Sequence, residues 1–366
     1  MTPDAPTYFS QSYAEARGKF LAAAEAANLD VHSEPHPLLG RDGEPLALDI
    51  VRDGPADARA VLILSSACHG VEGYCGSGVQ VALLGDAGFR AAAHAAGVAV
   101  LYLHALNPYG FSWWRRTTHE NVDLNRNFQN FHQPLPVNQA YAEIAHLVVP
   151  QDWPPAPGVQ QAVDAYIARH GLKAWQTAVT SGQYQYPEGL FFGGHGPTWS
   201  QMAVRHALRE HGQRCTRLGW IDFHTGLGPS GVGERIFACR DDAVALARAR
   251  AWWGPGITSI YDGSSTSALL TGLMWTVAYE ACPQAEYTGI ALEYGTVPVE
   301  EVLDALRADQ WLENHPEADT LDPARRAAIK QRLRDAFYTD TDVWKRQIVA
   351  QGREAAHQAV AGLGGA

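Results

Sequence analysis

An α/β fold with a largely parallel sheet is predicted by three features of this 366-residue chain. Residues 60–64 (Ala-Val-Leu-Ile-Leu) are short, apolar and β-branched, as a buried strand is. An alanine- and leucine-rich stretch from about Gly76 to Ala96 reads as a helix, and 98–103 (Val-Ala-Val-Leu-Tyr-Leu) as a second buried strand; this order makes a βαβ unit. Two later apolar runs, 218–223 and 289–292, stop at His224 and Glu293. Ligands gather at the carboxyl ends of such strands. His69, Glu72 and the loop from Asn107 onward follow strands in the same way.

The remaining elements are simpler. Residues 8–27 form a helix punctuated by Tyr13, Phe20 and Leu21, and 46–51 alternate as a strand does. Pro150, Pro154, Pro155 and Pro157 mark 150–158 as a surface loop. From about 299 the chain is mostly helical and charged, with a Gly/Ala tail expected to fray. There is no internal repeat, and one catalytic domain over 1–366 with helical terminal extensions is the simplest organisation.

The net charge is −11, which argues against a broad basic face for nucleic acid or an anionic membrane. No apolar run approaches the ~18 residues of a membrane span. The start, Met1-Thr2-Pro3-Asp4-Ala5-Pro6, lacks the basic and apolar segments of a signal peptide. Five cysteines without tight spacing suggest reduced thiols and a cytoplasmic setting. Cys68, next to His69, reads as a buried free thiol beside a strand end rather than a ligand or nucleophile.

The chemistry begins with His69 and Glu72, three residues apart after a strand. Catalytic zinc sites use two histidines and one glutamate and leave one position open. His224, at the end of Leu218–Phe223, is the third candidate ligand. Asp222, two residues back on the same face, is placed to orient an imidazole. Arg115 and Arg116, then Asn125 and Arg126 in Asp123-Leu124-Asn125-Arg126-Asn127-Phe128, concentrate guanidinium groups in an acidic protein. Such rigid forks suit a carboxylate or an oxyanion.

Together, His69-x-x-Glu72, Asn107-Pro108-x-Gly110-Phe111, Arg116, the Asp-Leu-Asn-Arg-Asn-Phe run, His224 and Glu293 resemble the zinc carboxypeptidase A-like superfamily. Asp222-Phe-His-Thr-Gly-Leu-Gly-Pro, Leu292-Glu-Tyr-Gly-Thr and Gly189-Leu-Phe-Phe-Gly-Gly are similar to its uncharacterised bacterial branch, a domain of unknown function. The likeness runs from Phe9 to about residue 350. It implies a mixed, largely parallel twisted sheet sandwiched by helices, of the zinc carboxypeptidase/phosphorylase-hydrolase-like kind. It implies Zn2+ on His69, Glu72 and His224, Glu293 as general base, and Arg116 or alternatively Arg115 polarising the scissile carbonyl. Asn125 and Arg126 would grip a terminal carboxylate, and Tyr261 matches a mobile tyrosine near the substrate.

The function so implied is zinc-dependent, carboxypeptidase-type hydrolysis of an amide next to a terminal carboxylate in a small peptide. The rival is an N-acyl amino acid deacylase of the aspartoacylase/succinylglutamate desuccinylase-like type. A non-catalytic binding protein is disfavoured because ligands and base are all present. Thr266 and Ser267 are candidates for the specificity pocket. Trp113, Trp114, Trp199, Tyr184 and Tyr186 could line it, or belong to the core.

Overall fold

The computed structural model describes residues 4–315 and 322–365. Residues 1–3, 316–321 and 366, parts of the N-terminus, helical region and tail read above, lie outside the described residues. Among the described residues, seven strands form one sheet: β1 (Val31–Leu39), β2 (Pro45–Asp53), β3 (Ala60–Ser65), β4 (Val98–His104), β5 (Arg217–Ser230), β6 (Gly233–Phe237) and β7 (Glu286–Gly295). Their spatial order is β1-β2-β4-β3-β5-β7-β6. The inner strands β4, β3, β5 and β7 are mutually parallel, whereas β1, β2 and β6 run antiparallel to their neighbours. The sheet is therefore mixed, with the parallel centre that the βαβ pattern predicts.

Every residue of β3 and β4 is buried. Successive side chains point to opposite faces, so both faces are covered, as a parallel centre requires. β2 departs from the expected half-buried alternation: Leu46 through Val51 are all buried. The first helix explains it. Tyr13 Oη bridges the Ala47 backbone (2.9 Å from N, 3.1 Å to O), and Arg17 Nε lies 2.7 Å from Asp49, which is fully buried.

That helix spans Tyr13–Ala26 rather than 8–27, because Ser12 caps it by accepting from the Glu15 N–H at 3.1 Å. The single helix expected over 76–96 is two, Gly73–Leu84 and Ala87–Ala95. Asp86 breaks the run by capping the second through the Phe89 N–H. The proline-rich loop ends early: Pro157 opens the helix Pro157–His170, a position where its missing N–H costs nothing.

The C-terminal helix spans Asp342–Gly364. Its Trp344, Ile348, Ala355, Ala356, Ala359 and Leu363 are buried, and it packs against β3, β5 and the helix Gly73–Leu84. No described helix is long and apolar enough to cross a membrane.

Candidate metal centre

β3 ends at Ser65, and residues 66–72 carry the chain into the wholly buried helix Gly73–Leu84. Ala67 turns this corner at φ +58°, a left-handed conformation uncommon for a residue with a Cβ. The loop is fastened to the arginine segment: Gly70 N–H donates to the Arg116 carbonyl (3.0 Å) and Val71 N–H to that of Arg115 (2.8 Å). A Cβ at position 70 would collide with the Gly110 backbone, so glycine permits this approach.

His69 Nδ1 lies 2.9 Å from Glu72 Oε1, His224 Nδ1 lies 3.1 Å from Glu72 Oε2, and the two Nδ1 atoms are 3.2 Å apart. All three side chains are buried. The opposite ring nitrogens face aspartates: His224 Nε2 is 2.6 Å from Asp222 Oδ2, and His69 Nε2 is 3.2 Å from Asp123 Oδ1. Two imidazoles and a carboxylate converging, each imidazole backed by an aspartate, fit the ligands and supports of a zinc site. Cys68, Asp222 and His224 also gather. There His224 already meets Asp222 through a hydrogen bond, and burial pushes the Cys68 thiol well above its ordinary range, so that trio offers no thiolate.

The electrostatics suit a cation. Burial opposes ionisation of Glu72, but the charge of His69 and hydrogen bonds from both imidazoles hold its carboxyl below the usual range. Asp123 is likewise buried, yet Arg116, His69 and Arg126 keep it far below. Burial works against protonated His224, while Asp222 and Glu72 outweigh it and raise the imidazole well above its ordinary value. A site that stabilises positive charge on an imidazole in this way is negative enough to attract a metal ion, whose binding needs that imidazole neutral.

Glu293 sits opposite His224 in the parallel β5–β7 register. Burial, then the charge of Glu72, pushes its carboxyl up to about 8, although Leu227 N–H donates to Oε1 at 3.1 Å. Gly226, at φ +124°, carries β5 past this point; a Cβ there would meet the Phe337 ring at 2.8 Å.

The two candidate carbonyl-polarising arginines diverge. Arg116 joins the cluster, with Nη1 3.0 Å from Glu72 Oε1, Nη2 2.8 Å from His69 Nε2 and Nε 3.0 Å from Asp123. Arg115 points to the helix Val299–Asn314, meeting Gln310 Oε1 at 3.4 Å and Asp309 and Glu313 at 3.6 Å. Arg126 is buried; its Nε and Nη2 donate to the Thr180 carbonyl (3.1 and 2.6 Å) and Nη1 to that of Asn125 (2.9 Å). Asn125 Oδ1 accepts from Met274 N–H at 2.8 Å.

Two sequence candidates are not brought into the site. Tyr261 donates its hydroxyl to the Cys239 carbonyl at 2.9 Å and packs on Phe237, outside the cavity lining. Thr266 is exposed, bonded through its hydroxyl to Glu234, while its neighbour Ser267 does line the cavity. Of the five aromatic candidates none lines the cavity, though Tyr184 donates its hydroxyl to the Arg126 carbonyl at 2.6 Å.

Sequence reasoning missed Asp123 behind His69, although it begins the Asp-Leu-Asn-Arg run. It also gave no role to Phe191, whose ring lies 4.9 Å from the Arg116 guanidinium and 5.5 Å from that of Arg126.

Comparison with known proteins finds no match among curated sequences. Among solved structures the chain is similar to bovine thrombin-activatable fibrinolysis inhibitor (13% identity, 94% of this chain and 98% of that chain, TM-score 0.44). It is also similar to a metallo-carboxypeptidase from Burkholderia cenocepacia (14%, 92% and 71%, TM-score 0.38). A third is the murein-tripeptide amidase MpaA from Escherichia coli O157 (15%, 77% and 91%, TM-score 0.33). A family model described as "Protein of unknown function (DUF2817)" matches residues 9–351, nearly the whole chain. The chain belongs to that family.

Proposed function

We propose that this protein is a zinc-dependent hydrolase of the carboxypeptidase type, cleaving an amide bond next to a terminal carboxylate. The observation that carries this is one shared cavity: His69, Glu72 and His224 line it together with Glu293, Arg116, Asn125 and Arg126.

His69, Glu72 and His224 would hold the ion. When bound, it acidifies water and polarises a carbonyl oxygen near neutral pH. Glu293, beside His224, takes a proton from the attacking water and returns one to the departing amine, a contribution typically of about 10²–10⁴-fold. Arg116 supplies a fixed donor where negative charge develops on the carbonyl oxygen. Arg126 is a buried cation whose hydrogen bonds run to backbone carbonyls, so a substrate carboxylate adds a directly bonded anion to the nearby charge of Asp123. Asn125, its oxygen fixed by Met274, keeps its amide N–H groups to donate beside that carboxylate.

One catalytic unit accounts for these parts: the chain from His69 to Glu293 carries the polar site residues, Val299 to Phe337 add cavity lining, and the C-terminal helix packs on β3 and β5. All five cysteines are free and buried, which suits a reducing cytoplasm. The test is release of amino acid from a panel of dipeptides and N-acyl amino acids by the zinc-loaded protein. Activity abolished by chelation and restored by zinc supports the proposal. Hydrolysis indifferent to chelation contradicts it, and the preferred half of the panel separates peptidase from deacylase.

A further inference from the structure

We infer that the substrate is apolar on both sides of its scissile amide, a conclusion that rests on the amide-hydrolase reading and extends it to a substrate class. The cavity has two hydrophobic walls that belong to separate packing clusters. One is built from Ile236, Ile260 and Leu273, with half-buried Leu270 and Ala291 against them. The other is built from Val302, Leu303, Leu306 and Phe337, with half-buried Val299.

Strand register places these walls on opposite sides of the metal ligands. Ala291 and Glu293 share one face of β7, and Ile236 pairs with Ala291 from β6, so the first wall lies before the 224/293 level. The second wall lies beyond it: Thr225 Oγ1 donates to the Phe337 carbonyl at 2.8 Å, and Phe337 and Val302 cover Gly226. The carboxylate clamp adjoins the first wall, because Met274 N–H holds Asn125 and Phe128 N–H donates to the Gly272 carbonyl at 3.1 Å. The side chain next to the terminal carboxylate therefore enters the first wall, and the acyl group or preceding residue meets the second.

Among the described residues, neither wall offers a counter-ion. The charged side chains lining the cavity are those of the centre and clamp plus Asp222. Both Asp222 oxygens are engaged, Oδ1 by the Ser65 hydroxyl (2.6 Å) and Oδ2 by His224 (2.6 Å). The polar side chains near the first wall are tied to backbone: Gln176 donates to the Thr266 carbonyl at 3.1 Å and the Ser267 hydroxyl to the Ala268 carbonyl at 3.3 Å. A Lys, Arg, Asp or Glu side chain would be desolvated there without a partner, which is costly. Aliphatic and aromatic groups lose nothing polar.

Two measurements test this on the zinc-loaded full chain. Calorimetric titration with leucine, phenylalanine, aspartate and lysine reads the first wall without turnover. The expected result is binding of leucine and phenylalanine tighter than that of the charged pair by about 10²-fold, the scale on which a hydrophobic pocket discriminates. Leu270→Arg, at a half-buried position, removes that preference. Initial rates on N-hexanoyl-leucine, N-succinyl-leucine and N-hexanoyl-aspartate read both walls, and Val299→Asp lowers the rate with the hexanoyl substrates while leaving leucine binding unchanged.

Aspartate or lysine binding as tightly as leucine overturns the inference, as does equal hydrolysis of all three amides; both leave the hydrolase reading standing. Ranked amino acid binding without any hydrolysis supports the apolar pocket and sinks the hydrolase reading. Absence of both binding and hydrolysis sinks both. Should either variant fail to fold, the wild-type rankings decide.

Discussion

Asp222 Oδ2 lies 2.6 Å from His224 Nε2, so the strand that delivers a metal ligand also delivers the group that orients it. Two residues of β-strand return to the same face, and the alternation alone brings the pair together. The hydrogen bond fixes which nitrogen faces Asp222 and turns Nδ1 towards Glu72. Asp222→Asn is expected to weaken zinc affinity by about 10–100-fold, as loss of such supports typically does. Competition with a chromogenic chelator measures it, and unchanged affinity would show that the aspartate only braces Ser65.

Arg126 provides the second test. Replacing it with methionine keeps an apolar stem but deletes a charge-assisted contact worth about 1.5–3 kcal/mol. KM should rise by roughly 10–100-fold with a smaller change in kcat, because the contact exists before and during the reaction. A substrate whose terminal carboxylate is amidated should be nearly indifferent to the substitution. Equal losses on both substrates would mean that Arg126 holds the Thr180 loop instead of the substrate.

His104, away from the centre, sets a pH dependence of stability. It is fully buried at the end of β4, stacked on Phe20, with Nε2 2.9 Å from the Ser77 hydroxyl. Burial lowers its pKa from 6.5 to about 4. Between those values the unfolded chain binds the proton and the folded chain does not. Its contribution is thus complete above pH 6.5 and is lost as pH falls towards 4. The loss is on the order of 3 kcal/mol for this depression. Denaturant titrations from pH 4 to 7 should show a shallower fall for His104→Gln than for the wild type. Parallel curves would contradict the assignment.

The parallel centre of the sheet was legible because the runs 60–64, 98–103, 218–221 and 289–292 are apolar on both faces, a pattern that burial imposes directly. β1 and β6 were not, since edge strands carry Pro35, Pro37, Glu234 and Arg235 and lack the periodicity of a covered strand. Asp49 hid the burial of β2, because its partners Arg17 and Ser33 come from elsewhere in the chain. At the centre, His69, Glu72, His224 and Glu293 announced themselves by standing at strand ends. The choice between Arg115 and Arg116 was invisible, because neighbouring residues leave a loop in directions set by tertiary contacts. Tyr261 was placed by the resemblance of its local context and Thr266 by its position between Tyr261 and Glu293, and neither says which way a hydroxyl turns.

The central claim is that Glu293 works on a substrate held beside a metal at His69, Glu72 and His224. Glu293→Gln keeps the side chain's size and leaves all three ligands in place. Zinc content and amide hydrolysis should be measured on the same preparation. The account predicts one zinc per chain, as in the wild type, with turnover reduced by about 10²-fold or more. Full zinc content with near wild-type turnover would contradict it.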